Sequence, residues 1–337
     1  MTNIMRNQQL IVKQLQSEQT NQNDSKRTSS LKAPIMVLHG HQGEIYSCQF
    51  SKDGTMIASA GYDMEIFIWD VFGNCDNLAV LKGHKGAIME LKFNSDSSHL
   101  VSVSTDKTVR VWDMETGLCI RNFKSHTDFV NSVDFNRRGP EMIVSASDDG
   151  LVMIHDYRTK QAVKVFNNKY QQTSVVFNDS SDQVICGGID NVVKMWDIRH
   201  DDVKHCFTAH RDTITGLAVS NNGNFLISNS MDCYLHKWNI RPYVSGERLI
   251  GSFTGHNHNF EKNLLKCGWS PNDQYVTCGS ADRFVNVWDS HNQRCLYRLP
   301  GHLGSVNATA FHPNQPIVMS SGSDKKIYLG ELELDDY

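Results

Sequence analysis

Residues 40–70 read GHQGEIYSCQFSKDGTMIASAGYDMEIFIWD, and most of the chain is a set of variations on this stretch. Three short runs within it, residues 45–50, 56–59 and 66–69, are rich in β-branched and aromatic side chains. Each run is bounded by Asp, Gly and Ser residues that favour turns, a pattern typical of short β-strands joined by tight connections. The stretch therefore predicts a small β-sheet.

The marks of this stretch recur in seven units along the chain. In each unit an Asp is followed six residues later by Trp or a substitute for it, and successive Asp residues are 41 to 43 residues apart with one step of 50. This spacing is close to the period of about 40 to 45 residues that is typical of a four-stranded propeller blade. A His precedes each Asp, except in the fourth unit, where Asn168 takes its place. The pairs are Asp63 with Trp69, Asp106 with Trp112, Asp149 with His155, Asp190 with Trp196, Asp232 with Trp238, Asp282 with Trp288, and Asp324 with Gly330; the preceding histidines are His41, His84, His126, His210, His256 and His302.

These units predict an all-β protein. No segment of comparable length has a helical apolar period, and sheets this small bury their faces only by packing on one another around a ring. The chain resembles the WD-repeat family over residues 34–332, and the resemblance implies a seven-bladed β-propeller. Because the last unit ends at its third strand, residues 326–332, we expect an N-terminal strand at residues 34–38 to complete that blade and leave no open edge.

The repeated polar residues have a local structural explanation. An Asp in a tight turn accepts backbone N–H groups and a hydrogen bond from the preceding His, which ties two loops together. The family resemblance implies that the His also bonds a Ser or Thr, which in turn reaches the Trp indole. Three complete tetrads are predicted: His41, Ser59, Asp63, Trp69; His84, Ser102, Asp106, Trp112; and His210, Ser228, Asp232, Trp238. The other turn residues are Asp149, Asp190, Asp282 and Asp324, and their units carry substitutions such as Cys186 and Cys278 in the Ser position.

Composition divides the chain into three parts. Residues 1–32 are rich in Gln and Asn and carry a net charge of +3, so we expect a disordered tail. Residues 33–332 form the predicted propeller, and residues 333–337 a short acidic C-terminal tail. Beyond residue 32 the net charge is −7, which disfavours general binding to nucleic-acid phosphates. We therefore expect any contact with RNA to pass through a protein partner.

Several functional classes lose support from the sequence. There is no apolar run of 18 residues and no secretory leader pattern, so membrane spanning and secretion are not expected. Nine cysteines without a Cys-x-x-Cys pair fit reduced thiols better than disulfides or structural zinc, and no phosphate-binding Gly-rich motif predicts a cofactor. Ser, His and Asp recur together around the ring, whereas a catalytic set is a single site with an exposed nucleophile. His256 and His258 lack further ligands at suitable spacing, and we expect no metal.

Protein binding is the function that these exclusions leave. The position of each residue within its repeat predicts that candidate contacts lie at one mouth of the ring. Residues just before each turn Asp, together with residues near the start of each inner strand, should surround this mouth. The aromatic and apolar side chains among them are of the type enriched at interface centres, although single exposed apolar residues are also ordinary. Two insertions that flank the sixth unit, residues 242–249 and 257–263, form a second candidate contact edge, with tolerated surface loops as the alternative. The predicted partner-binding residues are Tyr46, Tyr62, Met89, Phe129, Asn131, Met231, Asn259 and Phe260.

Six stretches outside the generic repeat marks are more specific. They are similar to the WD-repeat subunits of the U5 small nuclear ribonucleoprotein, and the similarity runs from about residue 30 to residue 331. The stretches are residues 30–36 (SLKAPIM), 71–77 (VFGNCDN), 187–191 (GGIDN), 259–265 (NFEKNLL), 280–285 (SADRFV) and 323–330 (SDKKIYLG).

This resemblance implies a non-enzymatic spliceosomal scaffold that acts in pre-mRNA splicing in the nucleus. Its partners would be spliceosomal proteins, chiefly the large U5 scaffold protein, with snRNA contacted indirectly and no cofactor, membrane or small-molecule substrate. The chain would be a monomer within that larger complex. Two alternatives stay open: a WD-repeat adaptor of another complex, such as a ubiquitin-ligase substrate receptor or a signalling scaffold, and a propeller enzyme with a non-repeated constellation in its channel.

Overall fold

The described part of the chain is built from strands alone. The computed structural model describes residues 27–334, which form 28 β-strands in seven four-stranded antiparallel sheets. None of these residues lies in a helix, so no helix among them is long and apolar enough to cross a lipid bilayer. The prediction of an all-β, seven-bladed propeller is confirmed.

The first four blades follow one another along the chain, each running from its inner strand to its outer strand. Blade 1 contains β2 (Ile45–Phe50), β3 (Met56–Gly61), β4 (Glu65–Asp70) and β5 (Asn77–Lys82). Blade 2 contains β6 (Ile88–Phe93), β7 (His99–Ser104), β8 (Val109–Asp113) and β9 (Cys119–Phe123). Blade 3 contains β10 (Val130–Phe135), β11 (Met142–Ser147), β12 (Leu151–Asp156) and β13 (Ala162–Asn167). Blade 4 contains β14 (Gln172–Phe177), β15 (Gln183–Gly188), β16 (Val193–Asp197) and β17 (Val203–Phe207).

The last three blades continue this order, and the final one takes its outer strand from the start of the chain. Blade 5 contains β18 (Ile214–Val219), β19 (Phe225–Ser230), β20 (Leu235–Asn239) and β21 (Leu249–Phe253). Blade 6 contains β22 (Cys267–Trp269), β23 (Tyr275–Gly279), β24 (Val285–Asp289) and β25 (Cys295–Leu299). Blade 7 contains β26 (Val306–Phe311), β27 (Ile317–Gly322), β28 (Lys326–Glu331) and β1 (Ile35–His39).

The N-terminal strand closes the ring, as the sequence predicts. β1 pairs antiparallel with β28, with Ile35 opposite Gly330 and His39 opposite Lys326. The backbone N–H of Glu331 also donates to the carbonyl of Pro34 at 2.9 Å. The blade that joins the two ends of the chain is therefore composite, and no strand edge is left open between them.

Apolar side chains fill the space between neighbouring blades. Between blades 1 and 2, for example, Ile66 and Leu81 pack with Ile88, Leu100 and Trp112 in one buried cluster. Full burial of a side chain of this size contributes about 1.5–3 kcal/mol. Each blade thus stabilises its neighbours, which explains why short sheets that are too small to fold alone form one ring.

Side chains of the inner strands also bond the next blade directly. The Gln49 side chain accepts the backbone N–H of Phe93 at 2.8 Å. One blade further, Glu90 accepts the N–H of Val133 at 3.0 Å. Asp134 repeats the contact with the N–H of Phe177, and burial raises the pKa of its carboxyl. These contacts fix the register of adjacent inner strands where they line the channel.

Six of the seven inner strands share a one-residue irregularity near their start. The strand pairing shifts register at this point, as between Ile45 and Ser47 in β2 and between Ile88 and Glu90 in β6. Such a β-bulge leaves one residue without a partner and changes the direction of its side chain. The residues skipped in this way are Tyr46, Met89, Asn131, Thr173, Thr215 and Asn307.

The described chain starts within the predicted tail. Residues 27–32 contact the propeller, and Leu31 is only 4% exposed because it packs into the cluster that contains Val71 and Cys75. At the other end, the backbone carbonyl of Glu333 accepts the hydroxyl of Tyr297. The remaining parts of the two predicted tails, residues 1–26 and 335–337, lie outside the described residues.

Candidate functional site

The predicted tetrads come together in space. In blade 1, Nδ1 of His41 lies 2.6 Å from an Asp63 carboxylate oxygen, and its Nε2 lies 2.7 Å from the hydroxyl of Ser59. The indole N–H of Trp69 donates to the same hydroxyl at 2.8 Å. The other two sets have the same arrangement: His84, Ser102, Asp106 and Trp112 in blade 2, and His210, Ser228, Asp232 and Trp238 in blade 5.

Two further blades contain most of this network. His126 contacts Asp149 at 2.9 Å and Ser145 at 2.8 Å, and the ring of His155 replaces the Trp at 3.0 Å from Ser145. In blade 7, His302 contacts Asp324 and Ser320. Our sequence reasoning missed Ser145 and Ser320. Each lies four residues before its turn Asp, as Ser59 does before Asp63, so the signal was available in the spacing.

The carboxylates of these networks are held in their ionised form. Burial acts to raise the pKa of Asp149, but hydrogen bonds from His126 and from the N–H groups of Leu151 and Thr127 lower it to about 2. The pKa values of Asp106 and Asp232 are lowered against burial in the same way. Each carboxylate therefore joins the loop that carries its His to its own turn.

The tetrads stabilise loops and do not present a nucleophile. Ser59, Ser102 and Ser228 are fully buried within strands, and each hydroxyl is occupied by a His ring and a Trp indole. A nucleophilic Ser must reach its substrate beside an oxyanion site. The repeated constellation therefore holds the frame of the ring.

Blades 4 and 6 depart from the tetrad. In blade 4, Asn168 donates to Cys186 at 3.7 Å, and Asp190 pairs with Lys194 at 2.6 Å. In blade 6, Asp282 pairs with Arg298, which also lies over the ring of Phe284. Neither ring nitrogen of the buried His256 has a hydrogen-bond partner within residues 27–334, and burial lowers its pKa to about 4.

One group of possible metal ligands occurs in the described residues. Donor atoms of His210, Asp232 and His236 lie within 4.8 Å of one another. However, His210 uses both ring nitrogens in its tetrad, and Nδ1 of His236 bonds Ser252 at 2.8 Å. Hydrogen bonds within the described residues therefore occupy three of the four ring nitrogens of this group.

Most of the predicted partner-binding residues belong to the end of the ring that carries the seven turn Asp residues. We call this end the Asp-turn mouth. A cavity of about 480 Å³ opens there, lined by residues of blades 1, 2, 3 and 7 and of the insertion that precedes blade 6. Tyr46, Tyr62, Met89 and Phe129 all line it, and Tyr62 and Phe129 are 62% and 45% exposed. Four of the eight predicted partner-binding residues are thus brought together on one surface.

The bulges explain why residues near the start of inner strands reach this cavity. Tyr46, Met89 and Asn307 are the skipped residues of β2, β6 and β26, and all three line the cavity. Burial, together with the Glu44 carboxylate, raises the pKa of Tyr46 to about 12. Its phenol therefore keeps its proton at neutral pH and donates to Glu44 at 3.3 Å.

The remaining predicted residues lie elsewhere. Asn131 is buried, and its amide donates to Asp148 at 2.6 Å and to the carbonyl of Gln172 at 3.1 Å, so it joins blades 3 and 4. Met231 is half-buried in the turn of blade 5, outside the cavity. Asn259 bonds the N–H of Glu261 within its own loop, while Phe260 is 91% exposed beyond the cavity.

The insertion at residues 257–263 and the residue after it contribute to the cavity through side chains that are not among the eight predicted partner-binding residues. Lys262, Asn263 and Leu264 line it beside Tyr46, and the Asn263 amide donates to Ser305 at 2.9 Å. A second insertion, residues 242–249, joins β20 to β21 at the opposite end of the ring. The two insertions therefore do not form one surface. Met64 and Lys85 complete the rim of the cavity.

Family models match nearly the whole described chain. The model described as "IFT122 first beta-propeller" matches residues 73–331, and the "WD domain, G-beta repeat" model matches residues 32–70. Together they span the seven blades and the closing strand. These matches agree with the repeats and with the tetrads described above.

Curated relatives match over most of their own length. The chain is 53% identical to the U5 small nuclear ribonucleoprotein 40 kDa protein of Mus musculus, covering 91% of this chain and 86% of the relative. It is 49% identical to the protein of the same name in Dictyostelium discoideum, covering 92% and 87%. It is also 40% identical to the pre-mRNA-splicing factor cwf17 of Schizosaccharomyces pombe, covering 91% and 90%.

Proposed function

The chain belongs to the family of U5 small nuclear ribonucleoprotein 40 kDa proteins, which are WD-repeat β-propellers, and on this premise we propose that it is a non-enzymatic scaffold of the spliceosome. It acts in pre-mRNA splicing as a component of the U5 and tri-snRNP particles. The observation that carries this proposal is an identity of about half of all residues over nine-tenths of the chain. The nucleus is its site of action, since splicing takes place there.

The geometry supports a binding role in place of catalysis. The recurring Ser, His and Asp side chains stabilise the loops of the ring, and the buried Ser hydroxyl groups accept hydrogen bonds from the Trp indole N–H groups. At the Asp-turn mouth, aromatic and apolar side chains surround a cavity that is open to solvent. Aromatic anchors beside a pocket are the usual centres of protein interfaces.

We infer that this cavity is where a spliceosomal protein docks, chiefly the large scaffold protein of the U5 particle. Tyr62 and Phe129 are the exposed anchors, with Tyr46, Met89 and Leu264 forming the floor and wall. Lys85 and Lys262 at the rim would select a partner segment that carries carboxylates beside its apolar residues. The proposed interface is thus one mouth of a monomeric ring within a larger complex.

In this proposal the chain reaches RNA only through a protein partner. The chain beyond residue 32 has a net charge of −7, so it lacks the cationic excess that drives phosphate binding. Small nuclear RNA should therefore copurify only while the protein partner is present. Crosslinking to RNA in the isolated chain would contradict this part of the proposal.

The test is affinity purification of the tagged full chain from nuclear extract, with identification of bound proteins and small RNAs. We expect U5 proteins and U5 snRNA with the unaltered chain and a loss of at least about tenfold with the double variant Tyr62→Ala, Phe129→Ala. The matched control is Tyr243→Ala, because Tyr243 is 97% exposed at the opposite end of the ring.

Each outcome separates the parts of the proposal. Recovery of ubiquitin-ligase or receptor subunits without spliceosomal proteins would replace the splicing function with another adaptor role. Recovery of U5 components that the double variant leaves unchanged would retain the splicing function and reject the Asp-turn mouth as the docking site. A loss with Tyr243→Ala alone would move the interface to the opposite end.

A further inference from the structure

The first described residues are fastened to the end of the last strand by one carboxylate. Oε2 of Glu331 accepts the Nε–H of Arg27 at 2.8 Å. Its Oε1 accepts the backbone N–H groups of Thr28 and Ser29 and the hydroxyl of Thr28. We call residues 27–31, held in this way, the N-terminal clasp.

The clasp extends the closure of the ring beyond β1. The backbone ladder between β1 and β28 ends near Pro34, whose carbonyl accepts the N–H of Glu331. Upstream of that point, the contacts to Glu331 hold Leu31 against the cluster that contains Val71 and Cys75. Hydrogen bonds from Thr28, Arg27 and Ser29 also lower the pKa of Glu331 against the effect of burial. The clasp therefore depends on hydrogen bonds and an ion pair to the ionised carboxylate of Glu331.

Ser29 and Ser30 are the residues of the clasp whose hydroxyls do not bond Glu331, and the Ser30 hydroxyl is instead occupied by the Gln315 side chain. Oγ of Ser29 accepts the N–H of Leu31 at 3.4 Å, whereas the N–H of Ser29 contacts Glu331 at 2.9 Å. Lys26 and Arg27 stand three and two positions before Ser29 in the sequence Lys26-Arg27-Thr28-Ser29. Protein kinases with an acidic substrate groove select basic residues two and three positions before the acceptor hydroxyl, by charge complementarity.

We propose that Ser29 is the acceptor for such a basophilic Ser/Thr kinase and that its phosphorylation opens the N-terminal clasp. In the transfer, Oγ of Ser29 bonds the γ-phosphorus of ATP, the bond from that phosphorus to the β,γ-bridging oxygen breaks, and ADP leaves. The hydroxyl proton passes to the base of the kinase. The product carries a charge of about −1.5 to −2 at neutral pH.

The added charge would act directly on the contacts between the clasp and Glu331. The phosphate is attached to the residue whose N–H binds Glu331, so two anions would lie close together beside the guanidinium of Arg27. The phosphate also competes for the guanidinium of Arg27, which removes a second donor from Glu331. Both effects favour release of residues 27–31 and exposure of the surface that Leu31 covers.

The test uses the full chain, ATP and the catalytic subunit of a cyclic-AMP-dependent protein kinase as the probe. Mass spectrometry should find phosphate on Ser29, and none of it in Ser29→Ala. Glu331→Gln should be phosphorylated several-fold faster, because the clasp must open before the kinase can bind an extended segment. Amide hydrogen exchange of residues 28–31 should become at least about tenfold faster after phosphorylation.

Three results would overturn the proposal. The first is absence of phosphate on Ser29 in both the unaltered chain and Glu331→Gln. The second is incorporation at Thr28 or Ser30 alone. The third is a phosphorylated Ser29 with unchanged amide exchange in residues 28–31, which would leave the clasp closed. Exchange in the strand β16 of blade 4, far from the clasp, is the internal reference and should not change.

Discussion

Asp282 and His256 occupy the positions at which five other blades join an Asp to a His, but here Asp282 binds Arg298 and both nitrogens of His256 lack partners within residues 27–334. The Ser position of the same blade holds Cys278, whose thiol donates to the carbonyl of Gly279. Blade 6 therefore contains a buried imidazole that burial keeps neutral. This makes its frame weaker than that of blade 1.

Cys278→Ser should stabilise the protein. A hydroxyl at this position gives Nε2 of His256 the partner that Ser59 provides to His41, a gain of about 1 kcal/mol. Ser59→Cys is the matched control and should destabilise by about 1–3 kcal/mol, because it removes a member of a complete buried network. Urea unfolding followed by fluorescence measures both. A stabilising Ser59→Cys would contradict the role assigned to the tetrads.

Removing the closing strand should destabilise the whole ring. A chain that starts at residue 40 lacks β1 and leaves β28 with an open edge, and it also loses the buried side chains of Leu31 and Leu38. We expect a loss of at least about 3 kcal/mol from those two side chains alone. A chain that starts at residue 27 keeps every contact described here and is the control. Equal melting temperatures for the two chains would disprove the closure.

Acid should weaken the tetrads over a defined range. Because the pKa of Asp149 is lowered from 3.8 to about 2 in the folded protein, its contribution to stability is complete above pH 3.8 and disappears as the pH falls towards 2. Asp149→Asn should therefore be less stable at neutral pH and show a shallower loss of stability between pH 4 and 2. Asp76→Asn is the control, because it removes an exposed carboxylate that belongs to no tetrad. Unfolding free energies measured across this range decide the matter.

The residue after each turn Asp has a left-handed backbone conformation in all seven blades. Only blade 3 has a glycine there, Gly150, while blade 7 has Lys325 with φ of 64°. Lys325→Gly should stabilise by about 0.5–1 kcal/mol, because glycine adopts this conformation without a steric penalty. Gly150→Ala should destabilise by more than that, since its Cβ would lie 2.5 Å from the carbonyl oxygen of Asn168. Calorimetry should show a higher melting temperature for Lys325→Gly and a lower one for Gly150→Ala, and shifts in the same direction would contradict the turn geometry.

The number of blades and the closing strand could be predicted because both depend on local spacing. The step from Asp63 to Trp69 and its repetition identify one strand pair per unit, and the missing outer strand of the last unit points to the residues before His41. The position of Tyr62 beside Asp63 at the mouth follows from the same phasing. The pairing of β1 with β28 joins opposite ends of the chain, but it could be predicted because the repeat count leaves one blade a strand short.

The parts that sequence reasoning missed depend on long-range contacts or irregular backbone. Asn131 has the same bulge position as Tyr46, yet its amide turns to Gln172 of the next blade and is buried. Lys262 and Leu264 reach the cavity because they belong to an irregular loop at the mouth. The position of such a loop does not follow from the spacing of the sequence repeats. The contact from Thr28 to Glu331 spans almost the full chain and has no local signal at all.

The pairing of β1 with β28 also determines how the ring responds to force. The first residue of β1, Ile35, lies opposite Gly330 near the end of β28, so the two chain ends leave the sheet side by side. Tension applied between the termini loads these hydrogen bonds one pair at a time, in the manner of a zipper, and not all together in shear. A ribonucleoprotein machine that pulls the two termini apart would therefore open the N-terminal clasp and then peel β1 from β28, with blades 1 to 6 still folded.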